Sequence, residues 1–172
     1  NGGGTKEERA LMYVVLKRIP ALQEYLPEIN TFVSQGVQWW DWYVNFYDEK
    51  VQFLDDEGTG YPGNVIEKIE EFNSSNHIYD ILIRHVEEIE NGEPVTDSDN
   101  YVLQKLRRMF AEISVGLLQP DLVIMDEFQR FKSLIDAEAL ETENGVIAKK
   151  FFETVGLKVL LLSATPYKLY ST

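Results

Sequence analysis

Two short stretches place polar side chains at the end of an apolar run. Asp121-Leu122-Val123-Ile124-Met125 leads into Asp126-Glu127-Phe128-Gln129, and Lys158-Val159-Leu160-Leu161-Leu162 leads into Ser163-Ala164-Thr165-Pro166. Continuous Val, Ile and Leu without alternation predicts strands buried on both faces. In open α/β sheets, ligand chemistry gathers just beyond the carboxyl ends of such strands. Asp126 and Glu127 stand at one such end, and the hydroxyls of Ser163 and Thr165 at the other. Two neighbouring carboxylates can divide general acid and base work between them. An independent hydrolase built on Asp126 and Glu127 is a weak reading, because adjacent strand residues point to opposite faces unless the strand ends between them.

The elements that would position these groups follow from periodicity. Val146, Ile147, Phe151, Phe152 and Val155 fall at helical spacing and predict a crossover helix over 146–155, with Gly156 as its C-terminal stop. Strand, helix, strand makes a βαβ unit, which runs its strands parallel. Phe131 to Ile135 reads as a helical turn, and the acidic Asp136–Gly145 as a loop or short helix.

Asp126-Glu127-Phe128-Gln129 followed by Ser163-Ala164-Thr165-Pro166 resembles the paired motifs II and III of the superfamily 2 helicases and related nucleic-acid-dependent ATPases. Order, separation and strand context agree. The extended forms, running on through Arg130-Phe131 and Tyr167, are similar to a bacterial branch of large helicase-like proteins. The resemblance covers about residues 120–172. Gln129 takes the fourth place of motif II, where relatives often carry Asp or His. A nucleoside triphosphate held by magnesium needs a carboxylate near the metal's water shell and a group that polarises the attacking water. The resemblance assigns the first role to Asp126 and the second to Glu127, and places Gln129 at the nucleotide. It makes Ser163, Ala164 and Thr165 the segment that couples the nucleotide to nucleic-acid binding and to a second motor domain. ATP and Mg2+ are the implied cofactors, and nucleic acid, DNA ahead of RNA, the implied partner.

No G-x-x-x-x-G-K-[ST] phosphate loop occurs in the sequence. With Asn1-Gly2-Gly3-Gly4 at one end and motif III close to the other, the chain reads as a piece of the first motor domain of a larger protein. By itself it is expected to bind no ATP and to hydrolyse none. The remaining motor domains would be partners, and exposed sheet edges would invite self-association. No run is long and apolar enough to span a bilayer, and cysteine is absent, so a cytoplasmic protein without membrane contact is expected.

Charge separates the two parts. Of 29 acidic and 16 basic residues, 8 and 6 lie in 121–172, which leaves 21 against 10 before it, a net charge of −11. Phosphate binding needs clustered Lys and Arg, so the first part has the wrong sign for a nucleic-acid face. It reads as a block of five or six helices over 1–119. Thr5-x-x-Glu8 is a capping box for a helix to Arg18, with Leu11, Val14, Val15 and Ile19 inward and Pro20 as its stop. A short helical turn through Leu22 and Leu26 follows, then Pro27. Asn30–Leu54 reads as one long helix with an inner stripe of Phe32, Val33, Val37, Trp40, Val44, Tyr47, Val51 and Leu54, locally weakened by Gly36. Trp39, Trp40, Trp42 and Tyr43 make an aromatic knot whose rings cannot all face one side. It reads as packing on neighbouring helices, with one or two rings at an edge, ahead of a stacking platform or partner-binding patch. The acidic surroundings argue against bases stacking there. Gly58-Thr59-Gly60-Tyr61-Pro62-Gly63 matches G-x-G-x-x-G formally, but no strand precedes it, and it reads as a loop. Further helices are expected over 64–72, capped by Asn64 and broken at Ser74-Ser75-Asn76, over 77–89, and over 101–118. His77 and His85 are eight apart, the wrong spacing for a metal pair on a helix, and are expected at surface or edge positions.

The expected fold is therefore α/β and predominantly helical: a helical accessory block over 1–119, then a βαβ unit with two parallel strands from an incomplete RecA-like domain over 120–172. The other reading is a helical protein–protein interaction module whose βαβ end is purely structural.

Overall fold

The computed structural model describes residues 4–118, 122–126 and 158–162. Among them are helices α1 (Lys6–Leu16), α2 (Leu26–Ser34), α3 (Trp40–Asp56), α4 (Tyr61–Asn76), α5 (Ile78–Glu90) and α6 (Asp99–Leu118), with a 3-10 helix over Pro20–Tyr25. Strands β1 (Leu122–Asp126) and β2 (Lys158–Leu162) follow. The protein is thus mostly helical with a small parallel sheet. It divides into two compact units, 1–113 and 114–172, with the boundary inside α6. The residues expected to form the crossover helix over 146–155, and those of 131–145, lie outside the described residues.

In the first unit α1 is the central element, packing against α2, α3 and α4. The capping box forms as the sequence implies. The Thr5 N–H donates to Glu8 Oε2 at 2.7 Å and the Glu8 N–H donates to Thr5 Oγ1 at 3.2 Å. Val14, Val15 and Ile19 are buried, as are Ala10, Met12 and Leu16, while Leu11 is only half-buried. The Thr5 backbone bond, aided by Arg107, holds the Glu8 carboxyl below its ordinary 4.5 against the opposing effect of burial. A depressed carboxyl stabilises the fold above its unfolded value, and that contribution is lost as pH falls through the folded value. Glu8→Gln is therefore expected to flatten the acid limb of the stability curve below about pH 4.5, read by urea melts at stepped pH. Thr5→Ala is expected to cost about 1 kcal/mol at neutral pH.

The single helix expected over 30–54 is two. Pro27 lies in the first turn of α2, where its missing N–H is not needed. The chain then breaks at Gln35-Gly36, with Gly36 at φ +69°, and re-enters a helix through Trp39 in the left-handed region at φ 61°. Tertiary contacts settle this break. Arg9, nearly buried on α1, donates from Nη1 to the Gln35 carbonyl at 3.1 Å and from Nη2 to the Phe32 carbonyl at 3.4 Å. It satisfies carbonyls that the end of α2 leaves without helical partners.

Two more boundaries differ from expectation. Helix α4 begins at Tyr61, with Gly60 left-handed before it and Pro62 in its first turn, so Asn64 is interior and not a cap. The Thr59 hydroxyl bridges the turn, donating to the Leu54 carbonyl at 2.7 Å and accepting from the Tyr61 N–H at 3.2 Å. The expected loop over 58–63 is thus confined to Gly58-Thr59-Gly60, and Tyr61-Pro62-Gly63 form the first turn of α4. Ser74-Ser75-Asn76 does not break α4. Ser74 and Asn76 donate to the Glu71 and Phe72 carbonyls, 2.7 and 3.0 Å away, and ride on the helix. The break falls at left-handed His77, where the Asn73 side chain accepts from the Tyr79 N–H at 2.9 Å.

His85 is not at an edge. It is 1% exposed, stands edge-on to Phe32 at 4.7 Å, and its Nε2 lies 3.1 Å from Asp99 Oδ1 at the head of α6. It shares a helix face with the buried Ile78 and Leu82, and Asp99 supplies a partner for one of its two ring nitrogens. His77 is exposed and sits 3.4 Å from Asp80.

Candidate functional site

In the second unit β1 and β2 pair in parallel, and the register runs from Leu122 opposite Lys158 to Asp126 opposite Leu162. Both strands therefore end at the same level. Asp126 is the last residue of β1, and its register partner Leu162 is the residue that precedes Ser163 in sequence. The carboxyl-terminal edge of this sheet is where an α/β architecture places its ligand chemistry. Of the residues singled out from sequence, the structure describes Asp126, which is exposed at that edge. Glu127, Gln129, Ser163, Ala164 and Thr165 lie outside the described residues.

Alternation puts Leu122, Ile124 and Asp126 on one face of β1. All three are exposed, as are Val159, Leu160 and Leu162 of β2. Burial of both faces, which the unbroken apolar runs predicted, is not found. Two strands give each other one hydrogen-bonded neighbour and leave open the faces that a larger layered sheet covers. Exposed apolar strands at an open edge are sticky. The chain is accordingly expected to associate with itself as concentration rises. Ile124→Lys, a charge at the middle of that face, is expected to shift sedimentation velocity toward monomer. A chain that stays monomeric at high concentration would count against this.

The Asp126 carboxylate is a hard oxygen donor in an accessible position at a strand end, and its chemistry fits a magnesium ion. Among the described residues no group of three His, Asp or Glu side chains gathers that could hold a metal by itself.

The other concentration of unusual side chains lies on α3, in the first unit. The expected inner stripe is real at Trp40 and Val51, which are buried. Trp40 donates from its indole N–H to Asn30 Oδ1 at 2.8 Å and lies 5.8 Å from the Tyr13 ring. Lys17 and Arg18 at the end of α1 both reach Asp48 of α3 at 2.7 Å. Burial alone would raise the Asp48 carboxyl, but these two cations outweigh it and hold it below the usual range. On the opposite side Trp39 is 78% exposed, Trp42 56% and Phe53 60%, with Phe46 also in solvent. Of the aromatic cluster, Trp40 packs on its neighbours and Tyr43 is half-buried, while Trp39 and Trp42 are the one or two expected at an edge and are exposed. The spacing already held the signal, since Trp42, Phe46 and Phe53 form their own stripe at i, i+4 and i+11.

No helix among the described residues is long and apolar enough to cross a membrane. Comparison with protein-family models, with curated proteins and with solved structures finds no match to this chain.

Proposed function

We propose that residues 120–172 are the motif II and motif III segment of the first RecA-like motor domain of a superfamily 2 helicase or translocase, and that the helices before them form an accessory block. The observation that supports this is the parallel register, which sets Asp126 opposite the residue that precedes Ser163. Motif II and motif III must lie side by side at one sheet edge if a nucleotide is to be sensed by both. In this reading Asp126 holds the Mg2+ of ATP through its water shell, Glu127 polarises the attacking water, and Gln129 adjoins the nucleotide. Ser163, Ala164 and Thr165 pass the nucleotide state on to nucleic acid, with DNA the expected track. The bound metal would supply charge neutralisation at the phosphates.

The test is magnesium-dependent ATP binding by the full-length gene product in which this segment occurs. Binding is expected to be lost on Asp126→Ala; unchanged binding would overturn the assignment. The 172-residue chain alone is expected to turn over no ATP, because the phosphate-gripping loop is not in its sequence. Steady turnover by the purified chain, abolished by Glu127→Gln, would contradict that.

A further inference from the structure

We infer that the outward face of α3 is a docking surface for an arginine-rich segment of a partner protein. Trp42, Phe46, Glu49, Phe53 and Asp56 recur at i, i+4, i+7, i+11 and i+14, so they share one face of the helix, and all five are exposed. The Trp42 and Phe46 rings are stacked on one another, 5.3 Å apart at 11°, and Lys50 Nζ lies over the Phe46 ring. Trp39 stands just before the helix start and is also exposed. Its left-handed backbone is unfavourable for a bulky residue, and the indole it carries is more exposed than any other large apolar side chain described. Four exposed aromatic side chains on and beside one helix are more than the scattered single apolar residues of an ordinary surface, and such concentrations mark interaction sites.

The chemistry of the face selects its occupant. Carboxylates are set among the rings: Glu49 lies between Phe46 and Phe53 in the stripe, Asp56 at its end, and Asp41 beside Trp42. Residues 1–120 carry a net charge of −11. Phosphates of nucleic acid and anionic lipid headgroups are repelled by such a surface. A second copy docking through this same face would set its carboxylates against their own counterparts, so self-association is expected through the strands and not here. A cation is favoured twice, by the carboxylates and by the ring faces. The protein already uses this pairing within itself: Lys50 Nζ lies 4.5 Å over the Phe46 ring and Lys6 Nζ lies 4.9 Å over the Tyr43 ring. Guanidinium suits the remaining faces best, because its planar, weakly hydrated group stacks on an indole while its N–H fork reaches a carboxylate. The surface therefore fits a segment that alternates arginine with apolar residues. This inference concerns the first unit alone and does not depend on the motor reading of the second.

The experiment is isothermal titration of the whole chain with a synthetic arginine–leucine peptide at low and at moderate salt. Saturable binding is expected, weaker at higher salt and weaker for the same peptide with lysine in place of arginine. Trp42→Ala leaves the charge unchanged and is expected to reduce affinity about tenfold or more; Glu49→Gln is expected to reduce it as well. Circular dichroism melts of both variants establish that the helices are retained. Binding undiminished by Trp42→Ala would make the attraction one of net charge alone and overturn the proposal. Failure to bind at low salt, tighter binding of a single-stranded oligonucleotide to the same face, or self-association lost on Trp42→Ala would overturn it too.

Discussion

Glu127→Gln in the full-length gene product is expected to leave magnesium-dependent ATP binding in place and to cut turnover by about 10²–10⁴-fold, the range for loss of a positioned proton-transfer group. Asp126→Ala is expected to lose the binding itself. The division follows from the two positions. Asp126 is the last residue of β1, exposed at the carboxyl end and level with the end of β2, so its carboxylate is placed to approach a bound cation. Glu127 is the next residue, and in a resemblance to motif II it faces the water and not the metal. Glutamine keeps the size and the hydrogen-bonding reach of glutamate but cannot take a proton. Binding and turnover falling together in Glu127→Gln, or neither falling in Asp126→Ala, would detach these carboxylates from nucleotide chemistry. Circular dichroism melts of both variants check that the fold is retained, and a lowered melting temperature would point to misfolding instead.

Two neighbouring tryptophans are expected to differ sharply in stability. Trp40→Ala is expected to cost about 3–5 kcal/mol, as for other buried aromatic truncations. Trp40 is only 8% exposed, packs on Tyr13, and pairs its indole N–H with Asn30 Oδ1, so truncation leaves a cavity and a polar atom without its partner. Trp42→Ala, two residues on, is expected to stay within about 0.5 kcal/mol, the usual range for surface changes away from special features. Its ring touches its own helix neighbours Tyr43 and Phe46 and is otherwise in solvent. Urea denaturation of the two single variants, compared by midpoint at constant slope, measures the difference. Equal losses would mean that the outward face of α3 is packed and would also remove the basis for a docking surface there.

The acid-tipped strand and its hydroxyl-tipped partner were legible in the sequence because unbroken Val, Ile and Leu runs admit few other structures at that length. Their parallel pairing followed from the helical pattern between them. The capping box at Thr5 was legible for a similar reason: both halves of the bond lie within four residues. Helical character was legible over most of 5–118, although the pattern over α2 and α3 reads as one helix. The boundaries were less so. Nothing local distinguishes a glycine that a helix tolerates from one at which it stops, and the Gly36 break is held by Arg9, from a helix more than twenty residues earlier. Ser74-Ser75-Asn76 carries breaker residues yet stays helical, because those side chains bond the helix's own carbonyls.

The sequence by itself determined the helical block, the two strands, their parallel sense and the placing of Asp126 at a carboxyl end, because each rests on short-range periodicity and backbone preference. Tertiary structure decided which aromatic rings are core and which are surface, that His85 is buried on Asp99, and where α2 gives way to α3. Each of those is a contest between local preference and a partner distant in sequence, and the distant partner carries the larger energy through burial and hydrogen bonding.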